Sequence, residues 1–343
     1  MAVAARTENL ACLIVARNLG DAVIQSRFLQ SLAAGGYARG YIAWTRPQTA
    51  FLFRDIPECE VVASQFPVGT QKQFGPAAAA GLLAAAWHIR RRRISVTLDL
   101  IGDMRERLFA RLAGSPRLIH IGWAPDHPFS RLIRNPLGSG RPQVEVPASV
   151  PNIYDAYDLM LASLVPGASM QSAPAPRAQE PTGRPLRVGI HPFASQECKL
   201  WPAGHWRELV RELLAQQATV YAFGAPSDRP ALLELLGELV SQVQVATESL
   251  QQFADRTATL DVMVGLDSFS THMAARQGVR SVTINAGNPP ELWAVPRTGR
   301  TVWSSGGCSS FPCFNVPKCE ATPLEYACVR SIAVRQVIES INS

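Results

Sequence analysis

The feature that most constrains the fold is a regular alternation of short apolar runs with longer helix-like stretches, which occurs twice along the chain. In the first half the apolar runs predict strands at 11–16, 41–44, 60–63, 94–100 and 118–122, with helices at about 22–34, 76–90 and 103–113. Strands that alternate with helices are typical of a parallel sheet covered by helices.

The alternation restarts after a segment rich in Pro, Ala, Ser and Gln, which predicts a linker between two domains. The second half predicts strands at 187–191, 219–223, 259–264 and 279–284, helices at 204–217 and 230–239, and a last helix from Tyr326 to Ile341. We therefore predict an α/β protein of two doubly wound, Rossmann-like domains that face each other across a ligand cleft. The predicted boundaries are 1–165 for the first domain, 166–185 for the linker, 186–325 for the second domain, and 326–343 for a helix that packs back toward the first.

Composition and charge exclude several other classes of protein. Apolar residues make up 47% of the 343 residues, so the chain can bury sizeable cores and is not a disordered protein. The net charge is +6, but arginine is spread along the chain, which argues against a nucleic-acid partner. We find neither a membrane-spanning run nor a secretory signal pattern, and therefore expect a cytoplasmic protein. The one dense basic run, Arg90–Arg93, is either a solvated helix end or a site for anionic lipid or anionic substrate.

The loop after the first predicted strand contains Gly20 and Asp21. Gly20 permits a tight turn and a close approach of ligand to backbone. Asp21 stands at the start of the next predicted helix, where it can cap that helix or act as a general base that takes a proton from an incoming hydroxyl.

Two loops of the second half carry groups suited to holding an anion. The loop 191–201 contains Ser195 and Lys199, although Lys199 can equally be an ordinary exposed lysine. The second loop follows the strand that ends in Val264, and it contains Asp267, Ser268, Ser270, Thr271 and His272. The alternatives are that Asp267 only caps the helix, and that His272 is a structural histidine whose hydrogen bonds are satisfied in the first helical turn.

Four cysteines lie close together late in the chain: Cys308, Cys313, Cys319 and Cys328. Their spacings are wider than the C-x-x-C pairs of most structural zinc sites. The spacing therefore favours buried thiols in a reducing compartment over a zinc or iron site.

Five segments resemble motifs of the heptosyltransferases, glycosyltransferase family nine. NLGDAVIQSRFLQSL resembles the family's LGD loop and following helix, and LDLIGDMRERLFARLAG resembles its D-x-Q-G-x-x-R segment. HPFASQECKLWPAGHWREL resembles its P-G-A-S…K-x-W-P…W-x-x-L segment, and GLDSFSTHMAARQGVRSVTINAG resembles its D-T-G-x-x-H-x-A-A-x-x-G segment. The CSSFPC…C…C tail resembles the family's cysteine-containing C-terminus. The resemblance covers nearly the whole chain.

This resemblance implies a GT-B fold and an inverting sugar transfer from a nucleotide-diphosphate donor, ADP-heptose in this family, to a glycan such as lipopolysaccharide core. It also implies that the first domain binds the acceptor, that the second domain binds the donor, and that no cofactor is needed. The implied location is the cytoplasm, with peripheral association at the inner face of the inner membrane. Asp21 corresponds to the catalytic base, and Ser195 and Lys199 to contacts of the donor diphosphate. The remaining positions implied for donor binding are Gly224, Asp228, Asp267, Ser268, Ser270, Thr271 and His272.

Three positions depart from the family pattern. Ile101 stands where Gln is usual, and Phe269 stands where the family has the Gly of D-T-G. Pro226 stands near the place of an acidic residue that meets the ribose, and Ser227 or Asp228 can take that role. The Phe269 ring favours an alternative, a nucleotide-sugar binding or assembly protein without catalysis.

The chemistry of glycosyl transfer is consistent with these assignments. A base activates the acceptor hydroxyl while the leaving diphosphate gains charge, which helix N-termini, hydroxyls and a lysine can stabilise. Neither loop carries an Asp-x-Asp metal motif, so we predict no divalent ion at the reaction centre. A nucleotide-sugar epimerase or hydrolase on the same architecture is the remaining alternative.

Overall fold

The computed structural model describes residues 8–68, 74–133, 141–170 and 183–343. The chain divides into two compact units, Met1–Ser172 and Ala173–Ser343, each built on a six-stranded parallel sheet. The predicted pair of doubly wound α/β sheets is confirmed. Most of the predicted linker 166–185 lies outside the described residues.

The first unit has the strand order β3-β2-β1-β4-β5-β6. Its strands are β1 (Glu8–Val15), β2 (Ala38–Thr45), β3 (Cys59–Ala63), β4 (Val96–Asp99), β5 (Leu118–Trp123) and β6 (Val144–Val146). Its α-helices are α1 (Leu19–Ala34), α2 (Pro76–Arg91), α3 (Met104–Leu112) and α4 (Ile153–Leu164). Strand β1 pairs with β2 on one side and β4 on the other, so its run Ala11–Val15 is buried on both faces.

The second unit repeats this order as β12-β11-β10-β7-β8-β9. Its strands are β7 (Arg187–His191), β8 (Thr219–Gly224), β9 (Gln244–Thr247), β10 (Val262–Leu266), β11 (Arg280–Asn285) and β12 (Gly299–Trp303). Its α-helices are α5 (Ala203–Ala215), α6 (Arg229–Leu236), α7 (Leu250–Thr257), α8 (Phe269–Arg276), α9 (Ala327–Arg330) and α10 (Val334–Asn342). In both units the strand order reverses beside the first strand, between β1 and β4 and between β7 and β10. That reversal is where doubly wound folds bind their ligands.

Two expectations from the sequence are corrected. The first helix begins at Leu19 rather than at residue 22, so Gly20 lies in the first helical turn and not in a tight turn before it. The last helix is broken between α9 and α10. Its apolar residues Val334, Val337 and Ile341 lie in the core of the second unit, against α5 and the sheet.

Among the described residues, no helix combines the length and the apolar character that crossing a membrane requires.

Candidate functional site

Lys199 and Asp267 form an ion pair at the strand reversal of the second unit. Lys199 ends a short 3-10 helix (Glu197–Lys199) that follows β7, and Asp267 directly follows β10. The Lys199 ammonium donates to Asp267 Oδ2 at 3.0 Å and to the Asp267 carbonyl oxygen at 3.1 Å. The remaining ammonium proton has no acceptor among the described residues, so it is available to an anionic ligand.

Asn288 extends this pair. Its Nδ2 donates to Asp267 Oδ2 at 2.6 Å, and its carbonyl oxygen accepts from Asn285 Nδ2 at the end of β11. Asn315 Nδ2 donates in turn to Asn288 Oδ1 at 3.0 Å. Burial alone would raise the pKa of Asp267, but Lys199, the Asn288 amide and nearby His272 outweigh it, and the net pKa is lowered. Asp267 is therefore an ionised, oriented carboxylate.

The N-terminus of α8 lies directly after Asp267. Ser268 precedes the helix, and its Oγ lies 3.3 Å from the Oγ of the buried Ser270. Thr271 Oγ1 donates to the Ser268 carbonyl oxygen at 3.3 Å. The first N–H groups of a helix have no partner within the helix, so this end offers backbone donors beside the two serine hydroxyls.

Gly265 makes room for Ser270. A Cβ on Gly265 would lie 2.5 Å from Ser270 Oγ, closer than real Cβ contacts come, and 3.2 Å from Thr271 Cγ2. The lack of a side chain at Gly265 therefore leaves room for the Ser270 hydroxyl in its observed position.

The side chain of Phe269 packs into an aromatic cluster. Its ring centroid lies 5.2 Å from that of His191 and 5.1 Å from that of Phe253. Burial lowers the pKa of His191 to about 4, although nearby Asp228 favours the charged form. His191 is thus a neutral member of the cluster rather than a cation for a phosphate.

The other predicted donor positions lie at or after the carboxyl ends of strands in the same sheet. Gly224 ends β8, and a Cβ there would approach the Phe193 ring to 3.0 Å and Asp228 Cβ to 3.1 Å. Asp228 is half-buried, and its Oδ2 accepts from the Ala225 amide at 2.8 Å. Ser195 is exposed, whereas His272 is buried in the first turn of α8, 6.4 Å from the Trp293 ring centroid.

In the first unit, Asp21 lies in the first turn of α1, the helix that follows β1. It is half-buried and accepts from the backbone amide of Asn18 at 3.2 Å, so the capping interaction is present. The loop before it is fastened by Arg46, whose Nε donates to the carbonyl oxygens of Ala16 and Arg17 at 2.9 and 3.0 Å.

Arg17, which has no predicted role, connects this loop to a buried carboxylate cluster. Its guanidinium lies 2.6 Å from Asp103 Oδ2 and 3.0 Å from Glu106 Oε1. Burial opposes the charge of Arg17, but the negative charges of Glu106, Asp21 and Asp103 raise its pKa. Asp99, Asp103 and Glu106 all lie in the segment LDLIGDMRERLFARLAG, which resembles a family motif, but the sequence gives no sign that they meet Arg17.

Asp99 and Glu106 each keep one buried oxygen without a hydrogen-bond partner. Asp99 Oδ1 accepts from the amides of Ile101 and Gly102 in the turn after β4, and its Oδ2 is the unpartnered atom. Burial raises the pKa of both carboxyls, and the charge of Asp99 raises that of Glu106 further. Two carboxyls that each keep an unpartnered oxygen in one buried cluster favour a state with one proton between them.

The four late cysteines line one small cavity in the loops between β12 and α9. All are free thiols, and burial raises the pKa of Cys328. Cys198, which the sequence does not single out, is close enough for Cys313 to contribute to the raised pKa of its thiol. Among the described residues, no three His, Cys, Asp or Glu side chains are arranged to hold a metal ion.

One comparison with known proteins identifies a family. The model of glycosyltransferase family 9 (heptosyltransferase) matches residues 89–322. No curated protein sequence matches the chain.

Three solved structures illustrate the likeness of fold. A family 9 glycosyl transferase from Veillonella parvula DSM 2008 has 14% identity and a TM-score of 0.68, over 100% of this chain and 97% of that one. The E. coli heptosyltransferase WaaC with ADP has 17% identity and a TM-score of 0.67, over 97% and 99%. The iron-containing dodecameric glycosyltransferase TibC from enterotoxigenic E. coli H10407 has 14% identity and a TM-score of 0.56, over 98% and 75%. The predicted GT-B architecture is therefore confirmed.

Proposed function

We infer that this chain, which belongs to glycosyltransferase family 9 (heptosyltransferase), transfers a heptose-like sugar from a nucleotide-diphosphate donor to a hydroxyl of a bacterial surface glycan. ADP-heptose is the first donor to test, because the relative WaaC was solved with ADP. Lipopolysaccharide core is the first acceptor to test. The transfer inverts the anomeric centre and uses no metal ion, and the protein works at the cytoplasmic face of the inner membrane.

The observation that carries this proposal is the Lys199–Asp267 pair beside the N-terminus of α8. The spare N–H of Lys199, the hydroxyls of Ser268 and Ser270, and the first amides of α8 supply positive potential where a departing diphosphate gains charge. Asp267 is ionised and held in place by Asn288, so it suits a sugar hydroxyl as a hydrogen-bond acceptor. Ser195, Gly224, Asp228, Thr271 and His272 complete the proposed donor region.

Asp21 is the proposed general base. It removes the proton from the acceptor hydroxyl as that oxygen attacks the anomeric carbon, and the bond to the diphosphate breaks on the opposite side. The backbone amide of Asn18 donates to Asp21 Oδ2 at 3.2 Å and so orients the carboxylate in the first turn of α1. In this proposal the first unit handles the acceptor and the second unit the donor.

Iron plays no part in the proposed reaction. TibC is described as iron-containing, and the four late cysteines supply the thiols that iron prefers. The arrangement does not fit, however, because no three candidate ligands among the described residues are placed to hold a metal ion. We therefore propose no step through a metal.

The alternative function is nucleotide-sugar binding without transfer, and it rests on Phe269. A side chain at a position where the family has Gly stands beside the proposed diphosphate donors. Its ring packs against His191 and Phe253, and we expect this packing to hold it aside from the first amides of α8.

Release of nucleoside diphosphate, measured with and without a lipopolysaccharide core acceptor, tests these functions. Transfer predicts release that depends on the acceptor. Release without acceptor would support the epimerase or hydrolase alternative, and saturable donor binding without any release would support the binding protein. A thermal-shift panel of nucleotide sugars identifies the donor, because a ligand that binds only the folded state raises the melting temperature.

A further inference from the structure

Helix α2 exposes large apolar side chains on the face that points away from its core. Leu82, Ala85, Ala86 and Ile89 are buried against the first unit. On the opposite side Leu83 is 56% exposed and Trp87 is 63% exposed. A helix on the surface of a domain normally presents polar residues on its outer face, so this apolar outer face is suited to a partner.

The neighbouring helix α3 adds to the same kind of surface. It packs against α2 and exposes Met104 and Leu108 while burying Phe109. Large apolar side chains are thus exposed on two adjacent helices of the first unit. We call Leu83 and Trp87, which lie one turn apart on the exposed side of α2, the outer apolar surface.

The basic run Arg90–Arg93 borders this surface at the end of α2. Arg91 lies one helical turn after Trp87 and shares its exposed side. Arg92 pairs with Glu60 at 2.9 Å, and His88 contacts the same carboxylate. The three other arginines of the run have no ion-pair partner among the described residues, and α2 itself carries no acidic residue.

We propose that the outer apolar surface and the Arg90–Arg93 run rest on a lipid bilayer that contains anionic lipids. Tryptophan and leucine are suited to the boundary between head groups and acyl chains, and arginines beside them are attracted to lipid phosphates. The charge decides between partners, since an apolar patch bordered by unpaired arginines requires a partner that is both apolar and anionic. The inference rests on the location at the inner membrane proposed above, but it is tested by vesicle binding and not by enzyme activity.

Vesicle flotation tests the surface with the full chain. We expect binding to phosphatidylcholine vesicles that contain about one third phosphatidylglycerol, weaker binding to pure phosphatidylcholine, and a loss of affinity as salt is raised. Replacing both Arg91→Gln and Arg93→Gln should weaken binding about 25-fold, because each basic residue near an anionic surface contributes roughly a factor of five. The double variant Leu83→Ser, Trp87→Ser should weaken it at least about tenfold through lost apolar burial.

A matched control removes two exposed arginines elsewhere in the first unit. The double variant Arg39→Gln, Arg54→Gln carries the same loss of charge and should bind like the native protein. If it weakens binding as much as the Arg91 and Arg93 pair does, the effect is one of net charge and the assigned surface is wrong. Melting temperatures of all variants show that each one is folded.

Contact with the acyl region has a separate readout. Brominated acyl chains quench tryptophan fluorescence on contact, and Trp87→Phe should abolish most of the quenching that the native protein shows. Native protein that binds no vesicle overturns the proposal. Self-association that Trp87→Ser disrupts, without vesicle binding, would mean that a second copy covers this surface. Donor-dependent chemistry is measured in separate assays, so either proposal can fail while the other stands.

Discussion

Arg17 lies 2.6 Å from Asp103, and this ion pair joins the loop after β1 to the start of α3. Lys199 and Asp267 make the corresponding link in the second unit, from the segment after β7 to the segment after β10, at 3.0 Å. In both units the cation follows the first strand and the anion follows the fourth. The two pairs thus close the same point of two sheets with the same strand order, where α/β folds bind ligands.

Replacing Asp21 with Asn should remove transfer while keeping donor binding. The amide cannot take a proton, so the rate should fall about 10²–10⁴-fold. Donor affinity, followed by the thermal shift with ADP, should stay close to native because Asp21 is not among the proposed donor contacts. Asp155→Asn is the matched control, since Asp155 also lies in the first turn of a helix, α4. A variant that keeps more than about a tenth of the native rate would contradict the role of base.

Replacing Lys199 with Met should weaken donor binding and lower stability together. It removes the cation proposed for the diphosphate and leaves Asp267 buried without its partner, which costs about 3 kcal/mol in the free energy of unfolding. We expect donor affinity to fall more than about tenfold. Lys318→Met, which removes an exposed lysine of the same unit, should change neither quantity.

A double-mutant cycle isolates the pair from general damage. Because Asn at position 267 needs no cation, the double variant Lys199→Met, Asp267→Asn should be less destabilised than the sum of the two single variants. Strict additivity would mean that the ion pair contributes nothing to folding.

Gly265→Ala should displace the Ser270 hydroxyl. The added methyl meets Ser270 Oγ at 2.5 Å, so this hydroxyl must rotate away or the first turn of α8 must shift, at a cost of about 1–3 kcal/mol. Nucleotide affinity should fall with it, because the proposed diphosphate donors move. Gly204→Ala in α5 is the control, since a Cβ there meets no atom within 4 Å. If Gly265→Ala binds nucleotide as tightly as the native protein does, the start of α8 is not part of the donor site.

The central strands could be predicted from the sequence, whereas three of the four edge strands could not. Strands such as β1 and β10 are buried on both faces and therefore read as continuous apolar runs. The strands β6, β9 and β12 each end a sheet, contain three to five residues and keep exposed positions, so they form no such run.

The site divides in the same way. Lys199 and Asp267 could be predicted because each directly follows a buried strand and both fall in recognisable family segments. Asn288 and Glu106 could not be predicted, because their importance comes from distant partners. Asn288 contacts Asp267, 21 positions earlier in the chain, and Glu106 contacts Arg17, 89 positions earlier. The apolar run of a buried strand is visible in the local sequence. A hydrogen-bond partner that comes from a distant segment of the chain is not.

Glu106→Gln should change how stability depends on pH. Burial raises the pKa of Glu106, so the folded state keeps a proton that the unfolded chain releases as the pH rises from the ordinary glutamate value toward neutrality. A folded state that binds more protons loses stability as the pH rises, and this contribution is absent in the variant. Measured by urea unfolding at a series of pH values, the variant should therefore gain stability relative to the native protein across that range. Glu208→Gln, an exposed substitution in α5, should show no such gain. A constant difference between Glu106→Gln and the native protein would mean that this carboxyl does not titrate there, and that the buried pair does not share a proton.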